Sequence, residues 1–249
     1  MKIVKYKKGS KGRYKVYLED GKELSFYEEV ILKFNLLLSK EINDDTLMLA
    51  DQYNQECDVY YVALHNLESH YKSVYELREW LKRKEYPEEL IEKAIDKLME
   101  QGYLNDEMYA KSYVNTQMIT TNKGPYRLKR ELEEKKITPE IIENALGNYT
   151  EEEQEARIRK VIDKSLHSNH NKGGIVLKQK IYSQLQILGY DVFLINSIIS
   201  QYSFSNNPEM VKKEYEKLKR KYSRKYEGEM LEKVIKEKLY LKGLRYEEE

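Results

Sequence analysis

Cysteine, proline and glycine are all scarce in this sequence. Cys57 is the one cysteine, and there are 4 prolines and 11 glycines among 249 residues. A lone cysteine excludes an intramolecular disulfide and a cysteine-based zinc site, and it fits a reducing compartment. The low proline and glycine content excludes a collagen-like chain, a proline-rich linker and a β-sandwich with frequent turns built from these residues.

Long apolar runs are also missing. No stretch of the sequence approaches the roughly 18 consecutive apolar residues of a membrane span. The N-terminus is rich in lysine but lacks the apolar segment of a secretion signal. We therefore expect a cytoplasmic protein that does not contact a membrane.

Residue patterns that carry catalysis or bind cofactors are missing too. Lys172-Gly-Gly174 lacks the spacing of a phosphate-binding loop. His167 and His170 are three residues apart, but the Ser, Asn and Gly residues around them offer no further metal ligands. No nucleophile stands with a base and an orienting group in a known pattern. We predict no enzyme, no cofactor, no metal site and no small-molecule substrate.

Charge is abundant and unevenly placed. Charged residues make up 35% of the chain, yet the net charge is only +1. Residues 1–15 hold seven basic side chains and no acidic one, and residues 212–225 hold eight Lys or Arg against two Glu. The net charge argues against a general binder of polyanions, whereas the local basic clusters indicate surfaces for particular partners.

The N-terminal segment predicts a β-hairpin followed by a helix. Within residues 11–26, Val16 and Leu18 alternate with polar positions, and Asp20-Gly21 is a turn dipeptide. The lysines that precede this segment are expected to protect an edge strand from pairing with other chains. Ser25-Phe-Tyr-Glu28 has the spacing of a capping box, so a helix is expected to begin there.

An internal repeat of about fifty residues follows. Apolar positions that begin at Leu77 and Leu81 recur after shifts of 51, 53 and 54 residues. Each copy has the pattern of two amphipathic helices separated by a short break, with one more helix in front. Pro87 and Pro139 mark the starts of second helices, and Ser73-Val-Tyr-Glu76 is a capping box. The four leading helices are expected at Val59–Leu67, Glu107–Thr116, Glu152–Leu166 and Glu209–Lys225.

These patterns define a fold class. We predict a mainly α protein, with tandem three-helix (helix-turn-helix-like) repeats in an extended array and a small N-terminal β-hairpin. A unit of this size is marginally stable alone, so contacts between neighbours should add stability. The predicted divisions are residues 1–57 for the hairpin and its helices, 58–104 for repeat one, 105–150 for repeat two, 151–204 for repeat three and 205–249 for a shortened repeat four.

Basic residues cluster on three of the four repeats. For any single lysine, the ordinary explanation is the solvated face of an amphipathic helix. Clusters of positive charge on three separate repeats need a further explanation. Together they could contact a long anionic or mixed-charge partner. The predicted partner-binding residues are Arg78, Lys82, Arg83, Arg127, Lys129, Arg130, Lys135, Lys219, Arg220 and Lys221.

Several motifs in the repeats resemble the RecX family of recombinase regulators. Ser73-Val-Tyr-Glu-Leu77 resembles the family's S-x-x-E-L, Leu98-x₃-Gly102-Tyr-Leu-Asn-Asp106 resembles L-x-x-x-G-Y-L-D-D, and Gly124-Pro-Tyr-Arg-Leu128 resembles G-P-x-x-I. Asn105 replaces the usual first Asp and can still cap a helix. Lys136 replaces the usual Gly, so the helix end there should be less relaxed.

The resemblance implies regulation by binding. Family members engage the RecA recombinase filament on single-stranded DNA, lie in its helical groove, and inhibit strand exchange and coprotease activity without catalytic residues. It therefore implies the RecA filament as partner, with single- or double-stranded DNA as a weaker contact. The alternative is a DNA-binding protein whose units act as helix-turn-helix readers, but the candidate recognition helices, Glu88–Met99 and Glu140–Leu146, are acidic or short.

Overall fold

A computed structural model describes residues 1–10, 12–168, 174–204 and 208–244. These residues form one small sheet and a succession of helices, which confirms the mainly α fold class with tandem three-helix units. His170, Lys172 and Gly173, which the sequence analysis considered as ligands or a phosphate loop, lie outside the described residues.

The N-terminal sheet has three antiparallel strands in the order β1-β2-β3, one more than the predicted hairpin. The unpredicted strand is β1, in the lysine-rich segment that was expected only to guard an edge. Apolar and polar residues do not alternate along β1. A bulge between Ile3 and Lys5 shifts the register there, and only Ile3 and Tyr6 of this strand are half-buried. The strands are β1 (Ile3–Lys8), β2 (Arg13–Leu18) and β3 (Glu23–Tyr27).

The capping box expected at Ser25 is wrong. Ser25 pairs with Lys15 inside the sheet, so it is not free to cap a helix. The first helix, α1 (Glu28–Lys33), begins three residues later, and its N-cap residue Tyr27 makes no side-chain capping bond. Strand pairing therefore prevails over the local capping signal.

A long helix links the N-terminal core to the first three-helix core. After the short α2 (Leu36–Ser39), α3 (Asp44–Ser69) is continuous for 26 residues. Its first half contributes Ala50 and Cys57 to the core beneath the sheet. Its second half contributes Val59 and Ala63 to the next core. The predicted division at 57/58 thus lies inside α3, between the residues that pack into the first core and those that pack into the second. As a domain boundary it stays a prediction.

The predicted capping box at Ser73 is confirmed. The Ser73 hydroxyl accepts from the Glu76 N–H at 3.1 Å, and the Glu76 carboxylate accepts from the Ser73 N–H at 3.1 Å. It opens α4 (Val74–Lys82), which contacts α5 (Glu88–Glu100) through Leu77 and Leu81.

The remaining helices follow the predicted order and differ from the predicted bounds by a few residues. Pro139 occupies the first turn of its helix as expected, although Thr138 makes no side-chain capping bond. They are α6 (Asp106–Thr120), α7 (Pro125–Glu134), α8 (Pro139–Leu146), α9 (Glu151–Ser168), α10 (Gly174–Leu188), α11 (Val192–Ile199), α12 (Pro208–Tyr222) and α13 (Gly228–Leu241).

The chain divides into two compact units. Unit one comprises Met1–Tyr109 with Lys135–Ile137, and unit two comprises Ala110–Glu134 with Thr138–Glu249. Separate apolar clusters support the helices within them. Ile158, Ile181 and Ile195 belong to one such cluster in unit two, and Tyr215, Ile235 and Leu239 belong to another.

Four equivalent residues of the repeats share a left-handed backbone conformation. Glu85, Lys136, Gly189 and Gly243 are separated by 51, 53 and 54 residues, and their φ angles are 63°, 59°, 87° and 71°. Each follows the middle helix of its repeat. Left-handed φ values favour glycine, so the helix end at Lys136 is less relaxed than a glycine would be, as expected.

The turn that follows one middle helix contacts the start of an earlier middle helix. In unit one, the Ser73 hydroxyl donates to the Lys135 carbonyl at 3.5 Å. In unit two, the Gly124 N–H donates to the Leu188 carbonyl at 2.7 Å. Ser73 and Gly124 are 51 residues apart, and Lys135 and Leu188 are 53 apart. A hydrogen bond therefore recurs at equivalent positions of the repeat, with a side-chain donor in unit one and a backbone donor in unit two.

Candidate partner-binding surface

Two of the predicted basic residues connect the helices of the first module. The Arg78 guanidinium donates to both Glu92 carboxylate oxygens, at 2.7 and 2.8 Å, and the Lys82 ammonium lies 2.8 Å from Glu88. The bonds to Glu92 raise the pKa of Arg78. Because these ion pairs join α4 to α5, Arg78 and Lys82 support the module itself as well as presenting charge.

Arg83 is placed differently. It is the C-cap residue of α4 and is exposed, and its Nε donates to the Glu79 carbonyl at 3.3 Å. Neighbouring Lys84 lies 4.9 Å from the ring centre of Trp80. Arg83 therefore directs its charge to solvent at the end of the helix, where a partner can reach it.

Lys135 is partly withdrawn from solvent. Its ammonium pairs with the Glu76 carboxylate and lies 5.7 Å from the Tyr109 ring centre. Burial alone would raise the pKa of Glu76, but the hydrogen bonds from Lys135 and from the Ser73 N–H outweigh it and lower that pKa. The main role of Lys135 in the structure is therefore to neutralise a half-buried carboxylate.

The second module contains a similar arrangement around one carboxylate. Glu131 accepts hydrogen bonds from Lys123 at 2.8 Å, from the Tyr113 hydroxyl at 2.8 Å and from Arg127 at 3.1 Å. Burial acts to raise the pKa of Glu131, and these three donors lower it below its ordinary value. Arg127 is thus engaged by a carboxylate of its own helix, whereas Arg78 pairs with Glu92 on the neighbouring helix α5.

Lys129 and Arg130 remain available on the same helix, α7. The Arg130 guanidinium is 70% exposed and lies 3.9 Å from Glu134, which is a loose pair in solvent. Within the described ranges, no acidic side chain lies at ion-pair distance from Lys129. Arg130 is therefore the most accessible of the basic residues predicted on module two, and Lys129, although half-buried, keeps its charge free of a carboxylate partner among the described residues.

Helix α12, the leading helix of repeat four, carries the densest positive charge. Lys219 and Lys221 lie over tyrosine rings of their own helix, at 5.6 Å from the Tyr215 centre and 5.5 Å from the Tyr222 centre. Tyr215 is buried in the apolar cluster that α12 shares with α13, so it is a core residue and not a stacking platform for bases. Arg220 lines an open basic groove of about 940 Å³ along the helix, together with Lys213, Lys217, Lys221 and Arg224.

The predicted residues therefore fall into two groups. Arg78, Lys82, Arg127 and Lys135 are ion-paired with carboxylates of their own unit. Lys129 is half-buried, and the exposed residues are Arg83, Arg130, Lys219, Arg220 and Lys221.

The sequence analysis missed a groove of the opposite charge. Tyr126 and Phe193, which are 59% and 84% exposed, line a groove of about 520 Å³ together with Glu151, Glu155 and Asp191. The exposed Phe193 beside the helix cap Asp191 was the available signal. Phe193 does not belong to the repeated apolar positions that form the core, so the repeat pattern did not identify it.

A metal site and a membrane-spanning helix are both missing from the part of the chain that the structure describes. Over the ranges 1–10, 12–168, 174–204 and 208–244, no three His, Cys, Asp or Glu side chains gather as a metal site requires. None of the helices described above is both long enough and apolar enough to cross a membrane.

Comparison with known proteins identifies the family. The models of the first and second three-helix domains of RecX match residues 60–98 and 105–146. The "Regulatory protein RecX" of Bacillus subtilis (strain 168) is 32% identical to this chain, over 97% of this chain and 92% of the relative. The chain belongs to the RecX family. The RecX of Halalkalibacterium halodurans is 29% identical, over 98% of this chain and 95% of that protein.

Solved RecX structures share the fold. A crystal structure of regulatory protein RecX superposes with a TM-score of 0.71 at 28% identity, and it covers 80% of this chain and 98% of its own. RecX from Lactobacillus salivarius gives a TM-score of 0.56 at 29% identity, covering 60% and 97%. Arg83 lies in the first matched RecX domain, and Lys129 and Arg130 lie in the second, whereas α12 lies beyond both.

Proposed function

We propose that this protein binds the RecA recombinase filament on single-stranded DNA and inhibits its strand exchange and coprotease activities. The observation that carries the proposal is the match to regulatory RecX proteins over nearly the whole chain. It acts by binding, without a cofactor, a catalytic step or a small-molecule substrate, in the cytoplasm where the filament forms.

The tandem architecture suits a filament as partner. A filament repeats along its axis, so several linked modules can contact successive subunits at once. Each contact then raises the effective concentration of the next, and weak modules together bind tightly. Occupation of the filament groove excludes a second DNA or a repressor from the same space, which accounts for inhibition of both activities.

The exposed cations are the contacts that we assign to this binding. Arg130 on α7 and Arg83 on α4 direct charge to solvent from two different modules, and Lys129, which is half-buried, lies next to Arg130. Arg78, Lys82, Arg127 and Lys135 contribute through the faces that they help to hold in place. On α12, Lys219, Arg220 and Lys221 extend the basic surface.

A titration of RecA-catalysed strand exchange and ATP hydrolysis tests the proposal. We expect inhibition at protein concentrations well below those that cover the DNA. Replacing both Lys129 and Arg130 with Ala should weaken inhibition without lowering the melting temperature. The charge-matched control replaces Lys160 and Lys164, which are exposed on α9, and should inhibit like the parent. No inhibition by the parent protein at saturating concentration would refute the proposal.

The same samples distinguish direct DNA binding. If DNA were the primary target through about 6 phosphate contacts, log affinity for bare DNA would fall with log salt at a slope near −5. The structure offers little for that alternative, because Glu88 and Glu89 form the first turn of α5 and α8 is eight residues long. We expect weak binding to bare DNA.

A further inference from the structure

The groove beside Tyr126 and Phe193 differs in character from the basic faces. It is lined by residues from α7, α9 and α11, all within unit two. Its described lining contains three carboxylates, from Glu151, Glu155 and Asp191, and no lysine or arginine. In a chain with 44 basic residues, such a surface is selective for positive charge.

The groove is held by a rigid framework. The Tyr126 N–H donates to the Gly189 carbonyl at 3.0 Å, which fixes the start of α7 against the turn before α11. The Tyr126 hydroxyl lies 3.3 Å from Asp191, whose carboxylate also caps α11 by accepting from the Phe193 and Leu194 N–H groups at 2.8 and 3.2 Å. The aromatic and acidic walls are therefore positioned before any ligand arrives.

Two features of the lining are unfavourable in the absence of a ligand. Glu151 and Glu155 are four residues apart on α9, and like charges at that spacing repel each other. The ion pair of Glu155 with Arg159, at 3.6 Å and partly in solvent, offsets this repulsion only in part. Phe193 leaves most of its ring in water, and Tyr126 on the same groove is exposed as well. A planar cation in the groove would relieve the repulsion between the two carboxylates by forming charge-assisted hydrogen bonds with them. It would also cover the exposed faces of the two aromatic rings.

We infer that this groove binds an arginine side chain presented by a protein partner. Guanidinium is the cation that stacks on aromatic faces and bonds carboxylates through a planar fork, whereas an ammonium offers only a point charge. A volume of about 520 Å³ is large enough for the side chain and for part of the backbone that carries it. The partner need not be the one proposed above.

The test uses the full-length chain and a defined probe, the peptide Ac-Gly-Gly-Arg-Gly-Gly-amide. We expect saturable NMR shifts at Tyr126, Phe193 and Ser197 in ¹⁵N-labelled protein, and much weaker shifts with the citrulline peptide, which is neutral and of the same shape. Replacing Phe193 with Ala and Glu155 with Gln should weaken binding by at least about tenfold. The matched pair on α13, Tyr240→Ala with Glu237→Gln, should leave binding unchanged.

Three results would overturn this inference. They are equal shifts with the arginine and citrulline peptides, no saturable shift in the parent protein, or equal affinity in the groove variant and the control. Phe193 is exposed, so its replacement should leave the melting temperature unchanged and a loss of binding cannot be ascribed to unfolding. Strand-exchange inhibition is measured separately, so either hypothesis can fail while the other stands.

Discussion

Gly189 lies so close to Arg127 that a Cβ atom on the glycine would lie 2.4 Å from the Arg127 backbone nitrogen. The two residues belong to successive repeats and are held together by the Tyr126 N–H bond to the Gly189 carbonyl. Two separate features favour glycine at position 189. Its φ is 87°, and the backbone of Arg127 lies too close to leave room for a side chain. The contact between repeats thus depends on the missing side chain.

Gly189→Ala should therefore destabilise the protein by about 3 kcal/mol, because it adds a left-handed penalty of about 1–2 kcal/mol to an overpacking cost of about 1–3 kcal/mol. Urea unfolding followed by circular dichroism measures the change. Gly21→Ala is the matched control, since Gly21 has the same φ of 87° but no atom within 4 Å of the added Cβ. Equal losses in the two variants would show that the close approach has no energetic consequence.

Glycine should stabilise the two repeats that lack it at the equivalent turn. Glu85→Gly and Lys136→Gly each remove a strained left-handed residue, and we expect each to raise the free energy of unfolding by about 0.5–1 kcal/mol. Chemical denaturation provides the measurement. As a control, Lys160→Gly lies at an exposed position in the interior of helix α9 and should instead lower stability by about 1 kcal/mol. A loss of stability in both turn variants would contradict the strain argument.

Replacing Arg78 with Ala should lower the free energy of unfolding more than replacing Arg83 with Ala. Arg78→Ala breaks a two-bond pair to Glu92 across α4 and α5 and should destabilise the protein by about 1 kcal/mol, a value limited by partial exposure. Arg83→Ala should change stability by less than about 0.5 kcal/mol. Thermal melts of both variants decide this, and filament inhibition normalised to the folded fraction then isolates binding. Equal melting temperatures would show that the Arg78 pair contributes nothing.

The carboxylate of Glu131 should make the free energy of unfolding depend on pH in the acidic range. Its pKa is lowered in the folded protein from an ordinary value of 4.5, so the folded state holds fewer protons than the unfolded state. The resulting stabilisation is present above pH 4.5 and is lost as the pH falls through the lowered pKa. Urea unfolding at pH 7 and pH 3 should show a smaller loss for Glu131→Gln than for the parent. Lys123→Met should reduce the loss in the same direction; an unchanged pH dependence in both variants would be the contrary result.

Local signals predicted most of the helices correctly. The capping box at Ser73 and the prolines at 87 and 139 act within a few residues, so their effect survives folding. Prediction was wrong where pairing with distant residues prevailed. The strand β1 carries a bulge that hides its alternation, and Ser25 is held by Lys15 rather than by a helix.

Among the basic residues, sequence identified the charge but not its partners. Arg78 and Arg130 look alike in the sequence, yet one is joined to Glu92 on another helix and the other is 70% exposed. The groove at Phe193 combines residues that are up to 72 positions apart, so local pattern could not reveal it.

The sequence by itself determined the repeat, its period, the helical class and the family, because periodic apolar positions and turn residues are encoded locally. The tertiary structure alone decided which cations face solvent, which glycine is pressed against a neighbouring repeat and where acidic and aromatic side chains converge. Those properties depend on distances between segments far apart in the chain, and only folding sets these distances.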